Sequence, residues 1–104
     1  MDNTYKYELL DKIKRSCHIT STAYDEELEE LMDAAELDLG RTADIRTDSV
    51  GTDALLDRAI ITYCMMHRIN VDKDAYARLK ASYDEQKSQL MTSSSYTDWG
   101  DDNA

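Results

Sequence analysis

Apolar residues return along this chain at intervals of three and four, with charged or polar residues between them. That period matches the turn of an α-helix rather than the alternation of a half-buried strand. From about Thr4 to Cys17 the recurring residues are Leu9, Leu10, Ile13 and Cys17, while Lys12, Lys14 and Arg15 take other faces or the last turn, where cations suit the helix dipole. A polar link at 19–22 follows. Thr22 and Asp25 then stand at capping-box spacing, and Asp25, Glu26 and Glu27 add negative charge to the first turn of a second helix. Tyr24, Leu28, Leu31, Met32, Ala35 and Leu39 form its stripe, and Gly40 suits the left-handed position just past its end.

Residues 41–51 show no sustained period and make a longer connection than helical domains usually use, so we expect a contact loop there. Thr52 or Asp53 can cap a third helix that is apolar almost all round: Leu55, Leu56, Ala59, Ile60, Ile61, Tyr63, Cys64, Met65, Met66 and Ile69. Asp72 or Asp74 can cap a fourth, in which Tyr76, Leu79, Tyr83 and Leu90 share a face and Lys80, Asp84, Glu85 and Lys87 decorate the outside. Proline is absent and the three glycines, at 40, 51 and 100, punctuate the periodic segments. The expected fold is all-α: a four-helix domain over residues 1–91 with helix three at its centre. Its expected core includes Leu28, Leu31, Leu56, Ile60, Cys64, Leu79 and Tyr83. The polar run 92–104 is too poor in aliphatic residues to bury a core and reads as a flexible tail.

One core is all that 104 residues can build, and with 41% hydrophobic and 33% charged residues the chain is apolar enough to fold. The formal charge of -10 argues against wrapping nucleic acid, where phosphates need cations, and favours a protein partner. No apolar run approaches the roughly 20 residues of a membrane span. The opening residues lack a basic region followed by an apolar one, so no secretory leader is expected and a cytoplasmic chain is. Two cysteines are too few for a disulfide scaffold.

Cys17-His18 and the pair Cys64, His67 make a Cys2His2 zinc site conceivable, but neighbouring helical residues point about 100° apart, and the usual ligand spacing is missing. No metal and no cofactor is expected. The carboxylates Asp25, Glu26, Glu27, Glu29 and Glu30 read as a solvated face, and no nucleophile elbow, Walker loop, dinucleotide fingerprint or His-Glu-x-x-His occurs. Catalysis is therefore not expected. Tyr96 and Trp99 are different: two large aromatics in a segment that cannot fold alone are expected to dock on the same chain, a neighbouring subunit or another protein.

Three stretches together resemble a known family. They are Thr22-Ala-Tyr-Asp-Glu-Glu-Leu-Glu-Glu-Leu-Met-Asp-Ala-Ala, Leu56-Asp-Arg-Ala-Ile-Ile-Thr-Tyr-Cys-Met-Met-His, and Tyr83-Asp-Glu-Gln-Lys-Ser-Gln-Leu-Met-Thr-Ser-Ser-Ser-Tyr-Thr-Asp-Trp. Over residues 4–100 the chain is similar to the small head-tail connector (adaptor) proteins of tailed bacteriophages and prophages, most distinctively in its closing third. The resemblance implies a structural virion protein, assembled in the host bacterial cytoplasm and found in the neck between head and tail. Such subunits form a homo-oligomeric ring, commonly a dodecamer, beneath the portal protein and seat a downstream neck or stopper protein. DNA would be met only as non-specific passage through the lumen, which carboxylates would keep free of phosphate attraction. Tyr96 and Trp99 would then dock on the portal or an adjacent subunit, and Arg41, Arg46, Arg58 and Arg68 are candidates to meet an acidic face next door. The alternatives are an acidic DNA mimic, its carboxylates standing in for phosphates, or a helical adaptor that inhibits or bridges a protein partner.

Overall fold

The computed structural model describes residues 3–42, 54–68 and 71–91. Among these residues the chain forms four α-helices and no strand: α1 (Asn3–Cys17), α2 (Asp25–Leu37), α3 (Ala54–His67) and α4 (Lys73–Met91). The class is all-α, as the period of the sequence requires. Helix α3 packs against each of the other three. Its Leu56, Ala59, Ile60 and Cys64 are fully enclosed, because a helix that is apolar on every side loses least when surrounded. Leu9 and Ile13 of α1, Leu28, Met32 and Ala35 of α2, and Tyr83 and Leu90 of α4 close around it. Leu31 and Leu79 are partly buried and pack at the margin of this core rather than inside it.

Helix ends decide where the candidate site lies, and they depart from the sequence expectation in several places. Helix α1 stops at Cys17 because His18 takes a left-handed backbone (φ 59°). The His18 amide donates to the Arg15 carbonyl at 3.2 Å and the Ile19 amide to the Lys14 carbonyl at 2.8 Å. This is a Schellman closure, with histidine where glycine is the usual occupant.

The capping box expected at Thr22 and Asp25 does not form. Ser21 instead accepts the Ala23 amide at 3.0 Å and starts a short 3-10 turn, Thr22–Tyr24, ahead of α2. Tyr24 therefore stands at the N-terminus of α2 with no side-chain cap bond, 40% exposed, and leaves the core stripe in which its spacing placed it.

Gly40 does not stop α2 either. The chain continues through a wider π-helical stretch, Asp38–Thr42. The extra residue per turn re-aims successive side chains, so that Leu39 is fully buried while Asp38 reaches α4. Of the two residues suited to cap α4, Asp72 does so, accepting the Ala75 amide at 2.7 Å. Of the contact loop expected at 41–51, Arg41 and Thr42 belong instead to the π-helical stretch, and the rest, like the expected tail 92–104, lies outside the described residues.

Candidate functional site

The pairs Lys6–Asp33 and Lys14–Asp25 set α1 against α2 in opposite directions, and Arg58 beside Glu85 with His67 beside Tyr76 does the same for α3 and α4, so the two ends are built from different elements. At one end the π-helical extension of α2 meets the later turns of α4. The Tyr83 hydroxyl donates to Asp38 Oδ2 at 2.5 Å, and Lys87 Nζ donates to the same oxygen at 2.9 Å. Tyr83 and Lys87 are one helical turn apart and therefore share a face, and the Lys87 ammonium lies 5.7 Å from the Tyr83 ring centroid. Lys87 was expected on the outside; its half-buried ion pair with Asp38 turns it inward instead. Burial pushes the Tyr83 phenol well above its ordinary acidity range, and its bond to Asp38 pushes the same way. From Tyr83 an aromatic run follows the α3–α4 seam: Tyr63 edge-on at 5.4 Å, His67 at 4.4 Å from Tyr63, and Tyr76 at 5.9 Å from His67. These groups interlock two helices and leave few free donors; their chemistry is structural.

At the other end, α1 turns into α2 next to the place where α3 stops. A cavity of about 240 Å3 opens there, lined by Cys17, His18, Ile19, Tyr24, Glu27, Leu28 and Arg68. The Schellman closure of α1 places His18 and Ile19 on its rim, and the 3-10 turn supplies Tyr24. Burial pushes the pKa of the Cys17 thiol up, with Arg68 opposing the shift, and burial does the same more strongly for Cys64 behind it. Both thiols are buried and free, so they pack as small apolar groups. The Nε of Arg68 is buried without a hydrogen-bond partner.

Of the sequence-selected arginines, the two whose side chains are described, Arg58 and Arg68, do not converge. Arg58 is exposed near the start of α3, beside an open groove shared with Glu85, Gln86 and Gln89 of α4. Arg68 follows the end of the same helix, about 15 Å further along at 1.5 Å per residue. The Arg41 side chain, Arg46, Tyr96 and Trp99 lie outside the described residues. Elsewhere α1 is stapled to α2 by Lys14–Asp25 at 2.8 Å and by Lys6 between Glu29 (3.8 Å) and Asp33 (3.5 Å). Glu26 and Glu30 of α2, with Glu8 and Asp11 of α1, remain exposed acidic residues. Among the described residues, Tyr7, Leu37 and Met91 are the half-exposed large apolar side chains away from the cavity. Among the described residues no three His, Cys, Asp or Glu side chains stand together as a metal would need, and no helix is long and apolar enough to cross a membrane.

Sequence reasoning missed Asp38, Lys87 and the cavity. Tyr83 and Lys87 one turn apart were a legible signal of a shared face; the wider turn that brings Asp38 to them was not. Asp57, buried near the start of α3, carries no signal in the sequence that singles it out.

Among the described residues the fold is a small all-α domain with a polar junction toward one end and a cavity at the other. No protein-family model, curated protein or solved structure matches the chain.

Proposed function

We propose that this chain is a structural subunit of a tailed-phage head-tail connector: a ring beneath the portal that joins the DNA-filled capsid to the neck and tail. The reading is carried by the stretch from Tyr83 to Trp99, whose wording resembles that family. Within it, Tyr83 and Leu90 are core residues of α4, so the helical half of the stretch makes sense as scaffold, and its Tyr96 and Trp99 are the part assigned to docking. Two surface features support assembly around DNA. Exposed carboxylates of α1 and α2 (Glu8, Asp11, Glu26, Glu30) suit a wall past which phosphates must slide. The half-exposed side chains of Tyr7, Leu37 and Met91 gain by being covered. A single acidic subunit repels its copies at low salt, so assembly on a portal template is expected where free subunits stay apart.

The test is to mix the purified chain with the portal encoded in the same genome and image the particles at physiological salt. Rings added beneath the portal are expected; bare portals overturn the reading. Deleting the gene is expected to leave filled heads without tails, whereas empty heads would assign the protein to packaging.

A further inference from the structure

Lys6, Lys14, Lys87 and Arg68 are the partly buried cations among the described residues. Each of the three lysines is paired with a carboxylate within 3.8 Å. Arg68 is different. Its backbone amide bonds to the Cys64 carbonyl at 3.0 Å, yet its side chain makes no hydrogen bond or ion pair among the described residues, and its Nε is buried without an acceptor. In a chain carrying a net charge of -10, carboxylates were plentiful, and this guanidinium received none. An unmatched donor in a sheltered position costs free energy. The arrangement is relieved when a planar oxyanion arrives, since a guanidinium fork offers two parallel N–H···O bonds to a carboxylate.

The rest of the cavity narrows the ligand. Ile19, Leu28 and the buried Cys17 supply apolar wall, and the Tyr24 ring stands at the opening. A volume of about 240 Å3 admits one compact group, free or at the end of a side chain whose backbone stays outside. Glu27 lines the same cavity and has an interaction of its own; its negative charge opposes a dianion more than a monoanion. His18 holds the rim in the left-handed conformation, which a non-glycine residue adopts at a cost.

We propose that the cavity between the α1–α2 turn and the end of α3 is a binding site for a carboxylate attached to an apolar or aromatic group, with Arg68 holding the carboxylate. The site stands independently of the connector reading: it exists in one copy of the chain and needs no ring.

The experiment is a titration of the full chain with benzoate, followed by backbone amide resonances. Saturable shifts confined to residues around 17–19, 24–28 and 68 are expected. Inorganic phosphate and benzyl alcohol, lacking either the apolar body or the charge, are expected to bind about tenfold more weakly or worse. Arg68→Gln is expected to lower benzoate affinity by about tenfold or more, the scale of a lost charge-assisted bond pair, while the melting temperature stays put. If Arg68→Gln does not fold, Arg68→Lys serves, since it keeps the charge and loses the fork; several-fold weaker binding is then expected. A peptide covering residues 96–104, with Trp99 and its acidic end, represents a carboxylate borne by a chain, and benzoate a free one. The tighter of the two, provided that Arg68 substitution weakens it, identifies the source. Absence of saturation with both, shifts centred elsewhere, or equal affinity in the Arg68 variants overturns the proposal.

Discussion

The two ends of this bundle handle charge in opposite ways. Where the π-helical extension of α2 meets α4, one carboxylate, Asp38, takes both a tyrosine hydroxyl and a lysine ammonium on a single oxygen. Where α1 turns into α2, an arginine lines a cavity with its Nε buried and bonded to no acceptor among the described residues. The first end is matched within the chain, so its polar groups hold helices together and have little left to offer a ligand. The second keeps unspent hydrogen-bonding capacity beside apolar wall, which is how binding sites differ from structural polar clusters. The proposed site therefore rests on an unpartnered guanidinium nitrogen that lines a cavity, and not on polar side chains as such.

Both ends hang on α3, so the largest expected effect is one that removes the difference between them. Ile60→Ala should cost about 2–5 kcal/mol, as truncations at fully buried aliphatic sites do, and should loosen both ends together in a urea titration. A loss below about 0.5 kcal/mol, the range of ordinary surface changes, would show that the ends are not joined through this core.

Next in size is a direct contrast. Asp38→Ala leaves the Tyr83 hydroxyl and the Lys87 ammonium without their acceptor and should cost about 1.5–3 kcal/mol, the range for hydrogen bonds to a charged group. Arg68→Gln, at the end with nothing to lose, should change stability by less than about 0.5 kcal/mol. Equal losses by chemical denaturation would abolish the distinction drawn between the ends.

Alkaline pH sharpens the comparison further. Tyr83 and Cys64 have pKa values raised chiefly by burial, so in the unfolded chain they release protons first. Stability from these groups is fully present below their unfolded values, near 10 for tyrosine and 8.5 for cysteine, and falls as pH rises above them, by at most about 1.4 kcal/mol per unit per group. Tyr83→Phe should cost about 1.5 kcal/mol at neutral pH, the low end for a bond to a charged group, through the lost bond to Asp38, and should flatten the alkaline decline measured between pH 9 and 11. A decline that is unchanged in the variant would place its cause outside the Asp38 junction.

The smallest effect concerns the cavity rim. His18 occupies a left-handed position that glycine adopts freely, so His18→Gly should raise stability by about 1 kcal/mol or less, offset in part by the freer unfolded chain. A rise in melting temperature together with weaker benzoate binding would mean that the histidine is kept at the rim for the ligand; a fall in melting temperature would mean that its side chain stabilises the turn.

The sequence by itself determined the helical class, the four stripes and the burial of α3, because these depend on period and on an apolar residue at almost every turn of one segment. It also held the signal for Asp72 as a cap and for the end of α1 at Cys17. Tertiary structure decided what local spacing could not. Thr22 and Asp25 have capping-box spacing, yet Ser21 takes the role, since a 3-10 turn there lets the chain pass from α1 into α2. Gly40 has the composition of a stop, yet burying Leu39 and bonding Asp38 to α4 favour a wider turn that carries the helix on. Lys87 reads as a surface lysine until the end of α2 arrives beside it. The cavity at Arg68 joins residues 17–28 to residue 68, and no pattern along the chain records that meeting: a void is defined by what three separate segments fail to fill, and only their packing together shows it.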